Sequence, residues 1–330
     1  MTTRTRYFVI ASLLVLFVGV GTGLVAYYTG FPALLARPAG TDDLKLLPHD
    51  AQLVAYADVR ELMGSELRQK VRQALPITGD GQREIYERTG INLETDIERV
   101  LVCLAPSRGD QRPSMPLVLA RGTFDTSRIE GMMRQAGASV EDYNGARLIV
   151  APNDFAVAFI EPGLAAIGGR SLVQAAVDQR GSGAGVTANA DMMDLVRSLD
   201  NGDLWAVGRF DALTSQLPLP GGLAQQFPAI SWFAANASVD SGVHGTLRAD
   251  ARDQEAADNL REVVRGFIAL GRLEAGTYPE LKTVLNSLTL AGSGTTVSLG
   301  FDVPGSLVDL LGSKAGGFQQ APKSSPDTGK

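Results

Sequence analysis

The stretch from Tyr7 to Tyr28 contains 22 residues and no charged side chain. A helix of this length reaches about 33 Å, enough to cross the hydrocarbon core of a bilayer. The stretch is longer than the apolar core of a secretory signal, and the residues after it, 31–37, contain no Ala-x-Ala cleavage pattern. We therefore predict a retained transmembrane helix at 7–28, preceded by a cytoplasmic stub at 1–6.

The charges at the two ends of this stretch predict its orientation. Arg4 and Arg6 precede it without any acidic residue, whereas Arg37 and Lys45 follow it together with two aspartates. Positive charge near a span favours the cytoplasmic side. We expect the N-terminus in the cytoplasm and the bulk of the chain outside the cell membrane.

Small residues form one stripe of the predicted span, at positions Ser12, Gly19, Gly23 and Ala26. Such a stripe lets two membrane helices approach closely, so the span could contact a second copy and form a homodimer. Glycine is also common in membrane helices that do not pair.

The composition after the span limits the partners of the chain. This part holds 28 basic and all 36 acidic residues, a formal charge of −8, which argues against nucleic acid. Its one cysteine, Cys103, cannot form an intramolecular disulfide, and its apolar neighbours predict a buried, unreactive thiol. Stability must therefore come from an apolar core.

Composition also predicts the domain organisation. Pro and Gly mark a juxtamembrane linker at 29–46, and the glycine-rich run 181–189 marks a seam between a first lobe, 47–180, and a second lobe, 190–312. The last residues, 313–330, are poor in large apolar side chains and predict a disordered tail.

The two lobes share a pattern that indicates a diverged duplication. Leu53–Val59 has a counterpart in Leu204–Phe210, and a hairpin at 148–160 has one at 288–300. The predicted fold is α+β: an N-terminal transmembrane helix, then two diverged repeats of mostly antiparallel sheet backed by helices. The lobes would pack side by side or join into one long sheet.

Each lobe is predicted to contain two further strands and then a helix. In the first lobe these are strands 99–105 and 117–123 and helix 126–135; in the second they are strands 231–239 and 243–249 and helix 254–270. Asp253 is the expected N-cap of the last helix, and Gly271 follows its expected end. A shorter helix at 82–89 is expected to end at Gly90.

No catalytic signature is present, and we predict no catalytic, cofactor-binding or metal-binding residue. The two histidines, His49 and His244, lie far apart in the sequence, and no sequence motif of a zinc, calcium or phosphate site occurs. Glu94, Asp96 and Glu98 could bind a hard cation, but solvated turn charges explain them better.

Three segments resemble a recurrent type of bacterial protein that is single-pass and extracytoplasmic: Leu47–Ala51, Ser65–Leu67 and Thr89–Ile97. The resemblance carries no active site and implies a location in the bacterial envelope, which the predicted anchor narrows to the inner membrane. With the anchor, it predicts a non-enzymatic binding or scaffold module of the cell envelope, whose partners are the lipid bilayer and an envelope protein. The alternatives are a carrier or sensor that holds a lipid or other apolar ligand between the lobes, and a hydrolase with a dispersed site that includes His244.

Overall fold

One large sheet dominates the fold. The computed structural model describes residues 41–68, 86–87, 89–92, 94–106, 115–182, 185–199, 202–212, 229–275 and 279–307. Its sheet has twelve strands in the order β11-β12-β10-β9-β8-β1-β2-β3-β7-β6-β5-β4, and every neighbouring pair is antiparallel. The predicted α+β class, with a large antiparallel sheet backed by helices, is confirmed.

The strands are β1 Leu53–Asp58, β2 Ile97–Leu104, β3 Leu117–Gly122, β4 Ser139–Tyr143, β5 Ala146–Val150, β6 Phe155–Glu161, β7 Leu164–Gly169, β8 Leu204–Arg209, β9 Ile230–Val239, β10 Gly242–Ala251, β11 Thr289–Ala291 and β12 Thr296–Pro304. The central strands such as β1 are apolar on both faces because both sides of the sheet are covered there, whereas β10 alternates apolar and polar residues.

Helices connect and cover these strands. Asp58, Asp125, Asn189 and Asp253 each accept hydrogen bonds from the first turn of a helix, which fixes where four of the helices begin. The helices are α1 Thr41–Leu44, α2 Val59–Gly64, α3 Thr126–Gln135, α4 Arg170–Ser182, α5 Ala190–Ser198, α6 Gln254–Glu274 and α7 Pro279–Ser287, with a 3₁₀ turn at Val186–Ala188.

The two faces of the sheet are covered unevenly. The front face, on which Tyr56 and Trp205 stack with ring centroids 5.5 Å apart, carries the main core beneath α4 and α5. The back face is covered by α2 and α3 over one half and by α6 over the strands β10 and β12. On the front face the strands β9, β10 and β12 lie beyond α4 and α5.

The two predicted lobes contribute to the same sheet. β1 pairs with β2 on one side and with β8 on the other, so the strands of 47–180 continue directly into those of 190–312. The helix α5 belongs to the second range, yet its residues Met192 and Leu195 pack in the same main core as residues of the first range. Of the two arrangements that the sequence allowed, the structure has the single joined sheet.

The chain enters the core earlier than the composition indicated. Leu44 and Leu46, inside the predicted linker 29–46, are each only 2 % exposed and pack with Leu47 in the main core. These leucines alternate with charged residues, so the segment has the composition of a linker although one side of it is apolar. The described fold therefore begins with α1.

Both predicted hairpins form, with positive φ angles at Asp154 in the first turn and at Gly292 and Gly294 in the second. Their places in the sheet differ. β12 pairs with β10, whereas the strand that pairs with β3 is β7. In sheet position the counterpart of β11–β12 is thus β6–β7 rather than the predicted β5–β6.

The end of α6 differs from the prediction. The helix continues past Gly271 to Glu274, and the backbone N–H of Ala275 bonds to the Gly271 carbonyl. Gly271 has a packing role, because a Cβ at this position would lie 2.9 Å from a methyl group of Leu285 in α7. The shorter helix does end at Gly90, whose φ is +74° and whose N–H bonds to Tyr86 O; residues 82–85 and 88 lie outside the described residues.

The predicted span 7–28 and the tail 313–330 also lie outside the described residues. Within the described ranges, no helix is long and apolar enough to cross a membrane.

Candidate functional site

Polar side chains line the front face of β9, β10 and β12. The described helices that contact β10 and β12 are α6, which packs against Ala249 and Val297 on the back face, and α7, which packs against β12 and α6. Ten residues of β10 extend about 33 Å, and three strands are about 10 Å wide. This surface, the polar sheet face, has nine members, none of them buried: Asn236, Ser238, His244, Thr246, Arg248, Asp250, Thr296, Ser298 and Asp302.

One ion pair lies on the polar sheet face toward the C-terminal end of β10. Arg248 donates to Asp250 through Nε to Oδ1 at 3.1 Å and through Nη2 to Oδ2 at 3.0 Å. The Thr296 hydroxyl donates to the same Oδ1 at 2.6 Å. Because these charges are matched within the face, it presents mainly hydroxyl and amide groups for hydrogen bonding.

Ser238, His244 and Asp302 form a row across the three strands. His244 lies opposite Ser238 on one side and opposite Asp302 on the other. These are the residue types of a nucleophile, a base and an acid, but within the described residues no hydrogen bond joins the three side chains, and His244 is exposed. A catalytic triad needs those hydrogen bonds and a site for the oxyanion, so the row has the composition of a triad without its geometry.

A groove of about 610 Å³ lies where α2 meets the β9–β10 hairpin. Its lining is polar and charged, which does not suit the apolar ligand of the carrier alternative. The lining includes Arg60, Glu61, Ser65, Glu66, Asp240 and Ser241.

Two aspartates near this groove have raised pKa values. Burial raises the pKa of Asp203, although its Oδ2 accepts a 2.8 Å hydrogen bond from Val239 N, and burial likewise raises the pKa of Asp58, which caps α2. At Asp240 the hydrogen bond from Gly242 N lowers the pKa. All three carboxylates bind backbone N–H groups, so their first role is to fix strand ends and a helix start.

A buried carboxylate holds the N-terminal segment on the sheet. Asp43 of α1 is 4 % exposed. It accepts from Arg121 at 2.5 Å and 3.2 Å and lies 3.4 Å from Arg99. The hydrogen bond from Arg121 to Asp43 raises the pKa of this arginine. Sequence reasoning counted Asp43 only as a linker charge, because its partners come from strands more than 50 positions away.

The side chains of the predicted acidic cluster, Glu94, Asp96 and Glu98, each accept a hydrogen bond from another residue of the chain. Arg68 donates to Glu94, Asp96 accepts from Asn92 N at 2.8 Å, and Glu98 accepts from Arg60 at 2.6 Å. Within the described ranges, no group of three His, Cys, Asp or Glu side chains could hold a metal ion.

The remaining sequence candidates are either buried or outside the described residues. Cys103 is fully buried, and burial raises the pKa of its thiol. Trp205 lies in the core, while Trp232 is partly buried against it. His49 is exposed and remote from the polar sheet face in sequence. The helix-contact stripe Ser12, Gly19, Gly23 and Ala26 lies outside the described residues.

Comparison with known proteins gives a distant likeness in fold. No protein-family model matches the chain, and no curated protein matches it significantly. The structure is similar to crystal form I of TP0453, with 10 % sequence identity and a TM-score of 0.43 over 84 % of this chain and 98 % of that one. A likeness at this level does not extend to function.

Proposed function

We propose that the chain is a membrane-anchored, extracytoplasmic binding or scaffold module of a bacterial envelope, without enzymatic activity. The helix 7–28 anchors it in the inner membrane with the N-terminus in the cytoplasm. The polar sheet face binds an envelope protein.

The polar sheet face is the observation that carries this proposal. It is the part of a rigid antiparallel sheet that the described helices leave open, and its strands are held on the back by α6. Its hydroxyl and amide groups offer directional hydrogen bonds, and the charges of Arg248 and Asp250 offset each other. A polar protein surface matches these properties better than a nucleic acid or an apolar ligand does.

The membrane anchor supports this function because it raises the effective concentration of the module near its partners. A module tied to the bilayer meets partners in the same membrane at high effective concentration, so a moderate affinity is enough. The location follows from the charge bias around the span and from the resemblance of the segments between residues 47 and 97 to single-pass extracytoplasmic proteins.

We also propose that the sheet arose from two diverged repeats. The strand order supports this origin, because β1, β2 and β3 run outward from the centre on one side and β8, β9 and β10 on the other. In each half a hairpin then follows next to the third strand, β6–β7 or β11–β12. The pair β1–β8 would lie at the boundary between the repeats.

The experiment that tests the function combines topology with position-specific capture. The full chain carries a C-terminal topology reporter and a photo-crosslinking residue at Ser298, on the polar sheet face. The matched control carries the crosslinker at Asp194, which is 74 % exposed on α5. We expect an external reporter and one reproducible envelope protein captured from Ser298 and absent from Asp194.

Two results would contradict the proposal separately. An internal reporter would contradict the orientation. An external reporter without capture from Ser298 would indicate that the polar sheet face binds no partner and is the solvated face of an antiparallel sheet.

A further inference from the structure

The strand β4 forms one edge of the twelve-stranded sheet. Among the described strands it pairs with β5 alone, through five consecutive residue pairs without a bulge. The turn that joins the two strands has two residues, Asn144 and Gly145, with φ angles of +47° and +74°, as a type I′ turn requires. β4 is therefore a regular extended strand with one side of its backbone unpaired.

The outward backbone groups of β4 belong to Val140 and Asp142. Ala151 N donates to Phe155 O at 2.8 Å, so every second residue of β5 counted back from Ala151 bonds toward β6, and the others bond toward β4. Leu148 is one of these others, and it bonds to the residue of β4 opposite it. The N–H and C=O groups on either side of that residue, at 140 and 142, point away from the sheet, and no described residue bonds to them.

The opposite edge of the sheet is closed by the chain itself. Its outermost strand β11 has only three residues. Beyond it the Ser287 hydroxyl accepts from Asp302 N at 3.0 Å and donates to Asp302 O at 2.9 Å, so that a side chain takes the place of a neighbouring strand. Pro304, at the end of β12, has no N–H. β4 contains no proline, lysine or bulge, the devices that commonly block an edge.

Side chains on the front face hold β4 in its extended form. Glu141 accepts from Arg170 Nη2 at 2.7 Å, and Tyr143 Oη donates to Asp178 Oδ2 at 3.0 Å. Both partners belong to α4. An edge that is already extended and fixed loses little conformational entropy when another strand adds to it.

On the back face β4 presents one charge and one apolar side chain. Asp142 is exposed, and the residue opposite it on β5, Arg147, donates to Glu130 at 2.7 Å instead. Val140 lies at the rim of the apolar cluster that contains Ile149. The complement of this side is a strand with a basic residue opposite Asp142 and, two positions later, an apolar residue opposite Val140.

We infer that β4 binds an extended segment of another protein, which adds to the sheet as a further antiparallel strand and carries this basic-x-apolar pattern. The outward backbone groups supply the pairing, and Asp142 and Val140 supply the selection. A second copy of β4 is a poor occupant, because a two-fold pairing would place Glu141 directly opposite Glu141 of the other copy, where like charges repel. β4 and the polar sheet face lie at opposite ends of the strand order, so the inference does not depend on the function proposed for that face.

Disulfide trapping of a peptide on the full chain, kept in detergent micelles, measures this pairing. Ser139→Cys places a thiol at an exposed position whose neighbour on an added strand is not hydrogen-bonded to it, where side chains come closest. The probe is the end-blocked peptide Thr-Lys-Thr-Val-Cys, whose Lys and Val lie opposite Asp142 and Val140 when its Cys lies opposite position 139.

The control protein is Asp194→Cys, at a side chain 74 % exposed on α5. Cys103 does not compete because it is fully buried. At a fixed ratio of oxidised to reduced thiol, we expect the equilibrium constant for the mixed disulfide to be about tenfold higher at Ser139→Cys than at Asp194→Cys.

Variants of the peptide separate strand pairing from general attraction. N-methylation of the Val blocks an N–H that faces β4, whereas N-methylation of the central Thr blocks one that faces away. We expect the first to lower the constant at Ser139→Cys about tenfold and the second to leave it within about twofold. Glu in place of Lys should lower it about fivefold. Adding Asp142→Asn, which keeps the acceptor for Gly145 N, should remove the difference between the Lys and Glu peptides.

Several results would overturn the inference. Equal trapping at Ser139→Cys and Asp194→Cys would show that β4 pairs with no added strand, and so would an equal loss from the two N-methylations. A preference for the Lys peptide that survives Asp142→Asn would remove the basic residue from the pattern. Ser139→Cys homodimers that form in preference to the mixed disulfide would assign the edge to a second copy.

Discussion

Replacing Asp43 with asparagine leaves the guanidinium groups of Arg99 and Arg121 without a carboxylate between them. These arginines lie directly opposite each other on β2 and β3, a position at which like charges repel. In the native protein Asp43 bonds to Arg121 through both of its oxygens and lies 3.4 Å from Arg99. The asparagine has nearly the same shape but no charge, and its NH2 group cannot accept one of the two hydrogen bonds from Arg121, so the variant removes the charge and one acceptor.

The burial of the three side chains defines the magnitude. Removing one partner of a buried ion pair costs about 3 to 5 kcal/mol, because the remaining charge is left uncompensated. Asp43 has a side-chain exposure of 6 %, but Arg121 and Arg99 retain 22 % and 33 %, and Arg121 also lies 3.6 Å from the carboxylate of Glu161, so water and this second carboxylate offset part of the cost. We expect Asp43→Asn to lower the free energy of unfolding by about 2 to 3 kcal/mol.

Chemical denaturation of the full chain, followed by the fluorescence of Trp205 in the core, measures this change. Asp194→Asn is the control, because its ion pair with Arg197 is exposed and should contribute less than about 0.5 kcal/mol. Adding Arg121→Met to Asp43→Asn should recover part of the loss, since it removes one uncompensated charge. An Asp43→Asn variant within about 0.5 kcal/mol of the wild type would refute the reasoning.

Four further outcomes are expected from single sites. The thiol of Cys103 should react with a water-soluble thiol reagent only after unfolding, since burial excludes the reagent and raises the pKa of the thiol; labelling of the native protein, measured by mass spectrometry, would contradict this. Gly271→Ala should raise the unfolding temperature by less than Gly131→Ala does, because the added methyl group lies 2.9 Å from a terminal methyl group of Leu285, which must turn away, whereas the space beside Gly131 is open; an equal rise in the two variants would contradict this. Burial raises the pKa of Asp203 above its ordinary 3.8, so the folded protein holds this proton at a pH where the unfolded chain has lost it. Denaturation curves should therefore show the wild type gaining stability relative to Asp203→Asn as the pH falls through the raised pKa. A difference in unfolding free energy between the two proteins that is constant with pH would contradict this. Finally, His244→Ala should leave thermal unfolding within about 0.5 kcal/mol of the wild type, because this side chain is exposed.

Elements with a strong local signal were predicted well from the sequence. The helix α3 has the predicted bounds Thr126–Gln135, with Asp125 as its cap. The strands β9 and β10 extend the predicted ranges by one to three residues, because their apolar positions alternate clearly. In these cases the residues that define the element lie within it.

Elements whose identity depends on distant partners were missed. The edge strand β4, Ser139–Tyr143, is too polar to be recognised without β5 beside it, and β7 ends in Gly168 and Gly169. The end of α6 was misplaced at Gly271, since only the packing of Leu285 shows that this glycine lies inside the helix.

The candidate sites show the same division. In β10 the polar positions His244, Thr246, Arg248 and Asp250 alternate with apolar ones, so one polar side could have been read from the sequence. Whether helices cover that side depends on where α4, α5 and α6 pack, which no local pattern indicates.

The central position of β1 has a consequence for how the protein is made. Its neighbour β8 begins at Leu204, and the six strands β2 to β7 lie between them in the chain. At a synthesis rate of about 5 to 20 residues per second, the strand Leu53–Asp58 waits on the order of ten seconds with one edge unpaired. This edge is apolar, and an unpaired apolar edge is a template for aggregation. A chaperone that shields β1 until β8 has been synthesised should therefore lower aggregation of the nascent chain.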